Sequence, residues 1–252
     1  MDIVVFINQL GATYMGLDGS LTLTTLLTRM GGGLVVTFQI FVITLLGSLP
    51  LGVLIALGRM SKFKPLAWLM RLYISFMRGT PLMLQLMAIY YIPYYLFGIK
   101  LNLLNVGPID IGPAHVEIGW VMTACCIGFI LNYAAYFAEI YRSGIQSIPR
   151  GQYEAAEVLG YTKAQTFMQI VLPQVIKRIL PAMGNEVITL VKDTSLAFVL
   201  GVMEMFTQAK AIAASQVSML PYVIAAGIYW GFTILVEFIL GRIEKKLNYY
   251  HD

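Results

Sequence analysis

An all-α integral membrane protein with five transmembrane helices is the fold class this sequence predicts, and three observations carry it. Of 252 residues, 58% are hydrophobic and only 12% charged, with a mean hydropathy of +0.76. Apolar runs able to cross a hydrocarbon core of about 30 Å, which takes roughly 20 helical residues, recur five times. Between those runs the basic residues gather in alternate connections, as the positive-inside rule requires.

The elements follow in order. Residues 1–33 read as an N-terminal extracytoplasmic or interfacial segment. Met1–Leu10 is too short to span, carries Asp2, and lacks the basic start of a cleavable signal peptide. Gly31-Gly32-Gly33 reads as a flexible lead-in to the first span, and not as a phosphate loop, because no Gly-Lys-Ser/Thr follows. That span is Leu34–Leu57, where Thr37, Thr44 and Ser48 share a stripe near Gly47 and Gly52, a pattern of close helix packing. The second run, Leu66–Phe97, is longer than a span needs, so it is tilted or broken, with Pro81 and Pro93 as candidate breaks. The third, Ile118–Tyr141, holds Cys125 and Cys126. Neighbours on a helix point about 100° apart, so these are expected to be small buried apolar residues. Gln174–Leu200 and Tyr222–Gly241 complete the set.

Orientation comes from the basic residues. Arg59, Lys62, Lys64 and Arg71 follow the first span; Arg142, Arg150, Lys163, Lys177 and Arg178 lie between the third and fourth; Arg242, Lys245 and Lys246 close the chain. All fall on one side of a five-span chain, whereas Arg29, Lys100 and Lys210 fall on the other. The N-terminus is therefore expected outside and the C-terminus in the cytoplasm. The net charge of +4 reflects this bias, and without an aromatic-interleaved basic stripe nothing points to nucleic acid. No metal-ligand cluster or nucleophile–base pair stands out, and His115 and His251 are far apart, so no catalytic or metal site is expected.

A polar, helix-forming patch interrupts this membrane pattern on the cytoplasmic side. Glu154-Ala155-Ala156-Glu157-Val158-Leu159-Gly160 is followed after nine residues by Ile170-Val171-Leu172-Pro173. Gly160 suits a turn between two short helices, Tyr153–Leu159 and Lys163–Val171. The spacing resembles the EAA motif of binding-protein-dependent ABC transporter permeases. Arg78-Gly79-Thr80-Pro81 with Gln85, Asn132 to Ile140, and Leu190-Val191-Lys192-Asp193-Thr194-Ser195-Leu196 look like the permeases of polar amino acid uptake systems. The resemblance covers Leu34 to Leu247, with a longer outer loop at 98–117.

That resemblance implies a transmembrane domain over 34–247 whose loop 151–173 forms cytoplasmic coupling helices. Glu154 would make a charged contact to an ATPase, Ala155 and Ala156 would permit close approach, and Gly160, Leu172 and Pro173 would shape the element. It also implies a second permease copy or paralogue, two cytoplasmic ATP-binding subunits, an extracytoplasmic solute-binding protein, and a multi-pass place in the bacterial cytoplasmic membrane. No Walker-type sequence occurs in the chain, so ATP and Mg²⁺ belong to the partner and no cofactor is expected here.

Ionisable groups inside spans are costly and normally face a cavity or a partner. Glu186 and Asp193 are seven residues apart, which places both on one helix face about 10 Å apart along the axis. Near the midplane they suit an amino acid's ammonium group, Asp193 first and Glu186 as a second anionic contact that would also suit a cationic side chain. Internal pairing with Lys192, Arg78 or another subunit is the competing reading. Arg78 has two as well: holding a substrate carboxylate in its guanidinium fork, or pairing with Glu139 or Glu237. Asn132, Tyr136, Thr80 and Gln85 either line the same cavity or bond between helices. A secondary transporter is the alternative function; it would share the buried acids but need no docking patch, and two related halves are not visible. A membrane-bound enzyme is the third.

Overall fold

The computed structural model describes residues 23–111 and 114–247. In chain order its elements are α1 (Leu23–Arg59), α2 (Lys64–Gly79), α3 (Leu82–Phe97), a 3-10 turn (Leu101–Leu104), β1 (Val106–Ile111), β2 (Ala114–Ile118), α4 (Trp120–Gln146), α5 (Arg150–Val158), α6 (Lys163–Gln165), a π-helical stretch (Thr166–Val171), α7 (Leu172–Asp193), a 3-10 helix (Thr194–Leu200), α8 (Met205–Gln216) and α9 (Leu220–Leu247). The readings of Met1–Leu10 and His251 fall outside the described residues.

The five apolar runs are helical, with revised ends. α1 starts eleven residues before Leu34, so Gly31-Gly32-Gly33 is helical and not a flexible lead-in. The physical reason is clearest at Gly33, where a Cβ would stand 2.7 Å from the Met205 Cα: the missing side chain lets α1 meet the start of α8 backbone to backbone. At 37 residues α1 is about 55 Å long and extends beyond a core of about 30 Å. The second run does break, at Thr80-Pro81, because proline restricts the preceding residue to extended backbone; Thr80 has φ −120° and ψ 149°. Pro93 causes no break and lies inside α3.

α1, α4 and α9 are each long and apolar enough to cross a membrane, and α2 and α3 pass that test only together, as one broken span. α7 has the length, 22 residues, but Lys177, Arg178, Glu186, Lys192 and Asp193 make it too polar. A helix of that composition must turn its charges toward something other than lipid. Two elements were not expected: α8, and the antiparallel β1–β2 hairpin in the outer loop, which pairs Val106 with Ile118 and Ile111 with Ala114.

The described backbone forms two compact units: residues 23–43, 82–111, 114–128 and 190–234 in one, and 44–81, 129–189 and 235–247 in the other. In the first, Leu26 and Met30 of α1 bury against Met205, Ala209 and Ile212 of α8 and Ala225 of α9. In the second, Ala134, Ala135 and Ala138 of α4 form a small-residue seam against Ile55 and Ala56 of α1 and Ile74 of α2. Lipid tails are as apolar as leucine, so such seams hold by close van der Waals approach and not by expulsion of water. Gly52 fits that seam, since a Cβ there would lie 2.9 Å from the Phe137 Cβ and 3.2 Å from the Ala134 carbonyl oxygen. Thr37, Thr44 and Ser48 are fully buried, as expected for a packing stripe, and Cys125 and Cys126 are buried free thiols.

Candidate functional site

The polar segment around Gly160 is a built structure. α5 ends in a left-handed glycine cap: Gly160 has φ +79°, its N–H donates to the Glu157 carbonyl at 3.0 Å, and the Tyr161 N–H donates to the Ala156 carbonyl at 3.0 Å. This is the Schellman arrangement, and it needs a residue that adopts positive φ without strain. Two residues later Thr162 starts the next helix with a capping box: its hydroxyl accepts from the Gln165 N–H at 3.3 Å, and the Gln165 side chain accepts from the Thr162 N–H at 2.9 Å.

The second helix does not stop at Val171. It runs through the π-helical stretch into α7 without interruption, so loop and fourth span form one rod. Pro173 accounts for the wide turn, because it lacks an N–H and its ring needs room beside the preceding carbonyls. Val171 and Val175 bury against Ile148, with Ile145, Phe167 and Ile179 packed around them. The Arg178 guanidinium donates to the Ser147 carbonyl at 2.5 Å, and the Gln174 amide donates to the Gln152 side chain at 3.2 Å.

What this element presents outward is apolar at its tip. Val158 is 88% and Leu159 72% exposed; Glu154, Ala155, Glu157 and Pro173 are exposed as well, and Leu172 is half-buried. Ala156 differs from expectation. It is buried within its own chain, so its small side chain serves internal packing and not the approach of a partner.

Glu186 and Asp193 both lie on α7, which is helical from Leu172 to Asp193, so the shared face stands; each is half-buried. Asp193 is the last α-helical residue. The backbone then tightens into a seven-residue 3-10 helix that ends at Gly201 with φ +76°. Runs of 3-10 helix beyond about four residues are uncommon and often mark a hinge. Thr194 and Ser195 brace the junction, their hydroxyls donating to the Val191 and Lys192 carbonyls, each at 2.7 Å.

A second polar centre surrounds Glu139 on α4. Its carboxylate accepts from the guanidinium groups of Arg59 and Arg142 in a double ion pair. Pairing of Arg78 with Glu139 or Glu237 is therefore not what the structure shows: Glu237 is exposed, and the Arg78 guanidinium lies over the Tyr136 ring, 5.2 Å from its centre. Of the polar candidates nearby, Asn132 is buried and donates to the Met77 carbonyl at 3.1 Å, and Thr80 donates to the Phe76 carbonyl at 2.8 Å. Gln85 is buried in α3. The structure thus brings Arg78 and Tyr136 into contact and places Asn132 on the α2–α4 seam. Gln85 and Asp193 belong to the first compact unit, the other five candidates to the second.

Sequence reasoning missed Glu204. It is fully buried and caps α8, accepting from the Phe206 and Thr207 N–H groups at 2.7 and 2.6 Å, the Thr207 hydroxyl at 2.7 Å and the Tyr229 hydroxyl of α9 at 2.9 Å. Beside it the Thr37 hydroxyl of α1 accepts from the Met205 N–H at 3.2 Å. Four donors fill the accepting positions of the carboxylate. The argument that singled out Glu186 and Asp193 applies equally here; Glu204 escaped it by lying just past the assumed end of the fourth span.

Comparison with known proteins bears on the whole arrangement. Residues 48–249 match the model of the binding-protein-dependent transport system inner membrane component. The chain is 34% identical over 250 residues to the L-cystine transport system permease protein TcyB of Bacillus subtilis (strain 168), covering 98% of this chain and 99% of the relative. It is 35% identical over 217 residues to the arginine transport system permease protein ArtQ of the same organism, covering 86% and 91%. A solved structure of an amino acid ABC transporter with histidines superposes with a TM-score of 0.73 at 33% identity, covering 87% of this chain and 94% of that one. With a broken second span, a charged fourth helix and a glycine-capped loop continuous with it, this chain belongs to the family of binding-protein-dependent transport system inner membrane components.

Proposed function

We propose that this chain is the membrane-spanning, non-catalytic subunit of an ATP-driven importer that takes an amino acid from an extracytoplasmic solute-binding protein into a bacterial cell. It lies in the cytoplasmic membrane with its N-terminus outside and its C-terminus in the cytoplasm. It pairs with a second copy or a paralogue around the path, above two ATP-binding subunits that carry ATP and Mg²⁺. One observation carries the reading: a loop with an exposed apolar tip is joined rigidly, through α6 and the π-helical stretch, to the helix bearing Glu186 and Asp193. A push on Val158 and Leu159 displaces that rod as a body, and the 3-10 segment after Asp193 is where its far end can flex.

The relatives named for cystine and arginine transport, and the structure with histidines, support an amino acid as cargo. Asp193 receives the ammonium group, and Glu186, on the same face of α7, adds a second anionic contact. Asn132, Tyr136, Thr80 and Gln85 hold the helices on which they stand.

The test is reconstitution with the ATP-binding subunits and the cognate receptor, followed by uptake of a panel of labelled amino acids. ATP-dependent, receptor-dependent accumulation is expected. Uptake that runs on an ion gradient and ignores ATP would make the chain a secondary transporter and end this reading.

A further inference from the structure

The cations of α2 do something the importer mechanism does not use. Lys64, Arg71, Ser75 and Arg78 are spaced by seven, four and three residues, so they share one helix face, and all are exposed. Arg71, Ser75 and Arg78 line a cavity of 420 Å³ together with Gly79, Arg59 and Glu139. Glu139 is already shared by Arg59 and Arg142. Neither Arg71 nor Arg78 has a carboxylate within ion-pair distance among the described residues. Three guanidinium groups and one carboxylate line the cavity, and that carboxylate is also paired with Arg142, so the cavity carries a surplus of positive charge that calls for an oxyanion.

Immediately beside the cationic face runs an apolar one. Trp68, Leu72 and Phe76, at four-residue intervals, are all exposed. A free anion would gain nothing from that strip. A ligand with a charged head and a hydrocarbon body uses both surfaces at once, the head in the cavity and the chains along the aromatic and aliphatic side chains. We propose that this cavity binds the phosphate headgroup of an anionic phospholipid, with its acyl chains on the Trp68–Leu72–Phe76 strip. The proposal does not depend on which amino acid is carried.

The test places the full-length chain, in its assembled complex, into nanodiscs of phosphatidylcholine and phosphatidylglycerol and measures the lipid retained by native mass spectrometry. The discs present the same lipids to both faces, so the result is independent of the direction of insertion. Two arginines near a headgroup predict roughly thirtyfold enrichment of phosphatidylglycerol over the disc's bulk ratio, about fivefold for each. Arg71→Gln should lose about fivefold, and Ser75→Glu, which adds a carboxylate to the exposed stripe, should abolish the enrichment. Co-elution of the ATP-binding subunits and an unchanged elution profile report that the variants are folded. Equal retention of both lipids by the unmodified chain would overturn the proposal, whatever the variants do. So would enrichment that both variants keep. Displacement of the lipid by millimolar inorganic phosphate would overturn it too, by making the cavity a free-anion site.

Discussion

Asp193 ends α7 and Glu204 caps α8, and the surroundings of these two acids assign them opposite duties. Glu204 is fully buried with four donors around it, which leaves it no capacity for a ligand. Glu204→Ala should therefore act on stability: each buried donor left without a partner costs about 1–3 kcal/mol, and the cap of α8 is lost as well. A clear fall in the melting temperature of the purified complex is expected. Glu204→Gln, which keeps one accepting oxygen, should fall between. Melting behaviour equal to the unmodified protein in both variants would remove the strut role. Asp193, half-buried at the end of α7, should behave the other way. Asp193→Asn keeps size and shape but loses the charge; transport should drop by the equivalent of about 2–5 kcal/mol in a desolvated pair while the ATP-binding subunits remain bound. Unchanged uptake kinetics would take Asp193 out of the substrate site.

Among the elements, the glycine-capped loop makes the sharpest claim. A Cβ at Gly160 meets nothing within 4 Å, so within this chain the cost of any side chain there is the backbone angle alone. Left-handed backbone costs most L residues about 1–2 kcal/mol, and asparagine and aspartate less. Gly160→Asn should leave the turn and ATPase binding nearly intact. Gly160→Asp tolerates the same angle but adds a negative charge beside Val158 and Leu159, and it should detach or uncouple the ATP-binding subunits while the chain still inserts. Pull-down with tagged permease, alongside ATP hydrolysis with and without receptor, reads both effects. If Gly160→Asp keeps binding and receptor stimulation, the loop is not the coupling element.

For the molecule as a whole, the reading requires two distant surfaces to exchange free energy, since the receptor docks outside and ATP binds inside. Such coupling is reciprocal in binding free energy. Loaded receptor should raise ATP hydrolysis in the reconstituted complex, and a non-hydrolysable ATP analogue should change receptor affinity; couplings of this kind are typically about 5–150-fold. Receptor affinity identical with and without the analogue would break the mechanism, even if the chain still assembled with its ATPase.

How much of this was legible in the residues follows from the range of the forces involved. The apolar runs and the need for a break or tilt in the second could be read directly, because hydropathy and proline stereochemistry act over a few residues, whereas which of Pro81 and Pro93 makes the break, and that α7 is too polar to pass as an apolar span, could not. The loop turn at Gly160 was readable for the same reason: a helix cap is local chemistry. The start of α1 was not, since Gly33 is helical by virtue of the α8 backbone it meets, far away in sequence. Nor was the division of labour among the charges. Arg59, Arg78, Glu139 and Arg142 lie on three helices, and which arginine takes the carboxylate depends on how those helices pack. Composition and spacing determined that this chain crosses a membrane and carries a polar, glycine-capped loop between its third and fourth apolar runs. Only the tertiary structure decided which buried acid is a strut, which arginines are paired, and that loop and fourth helix are a single rod.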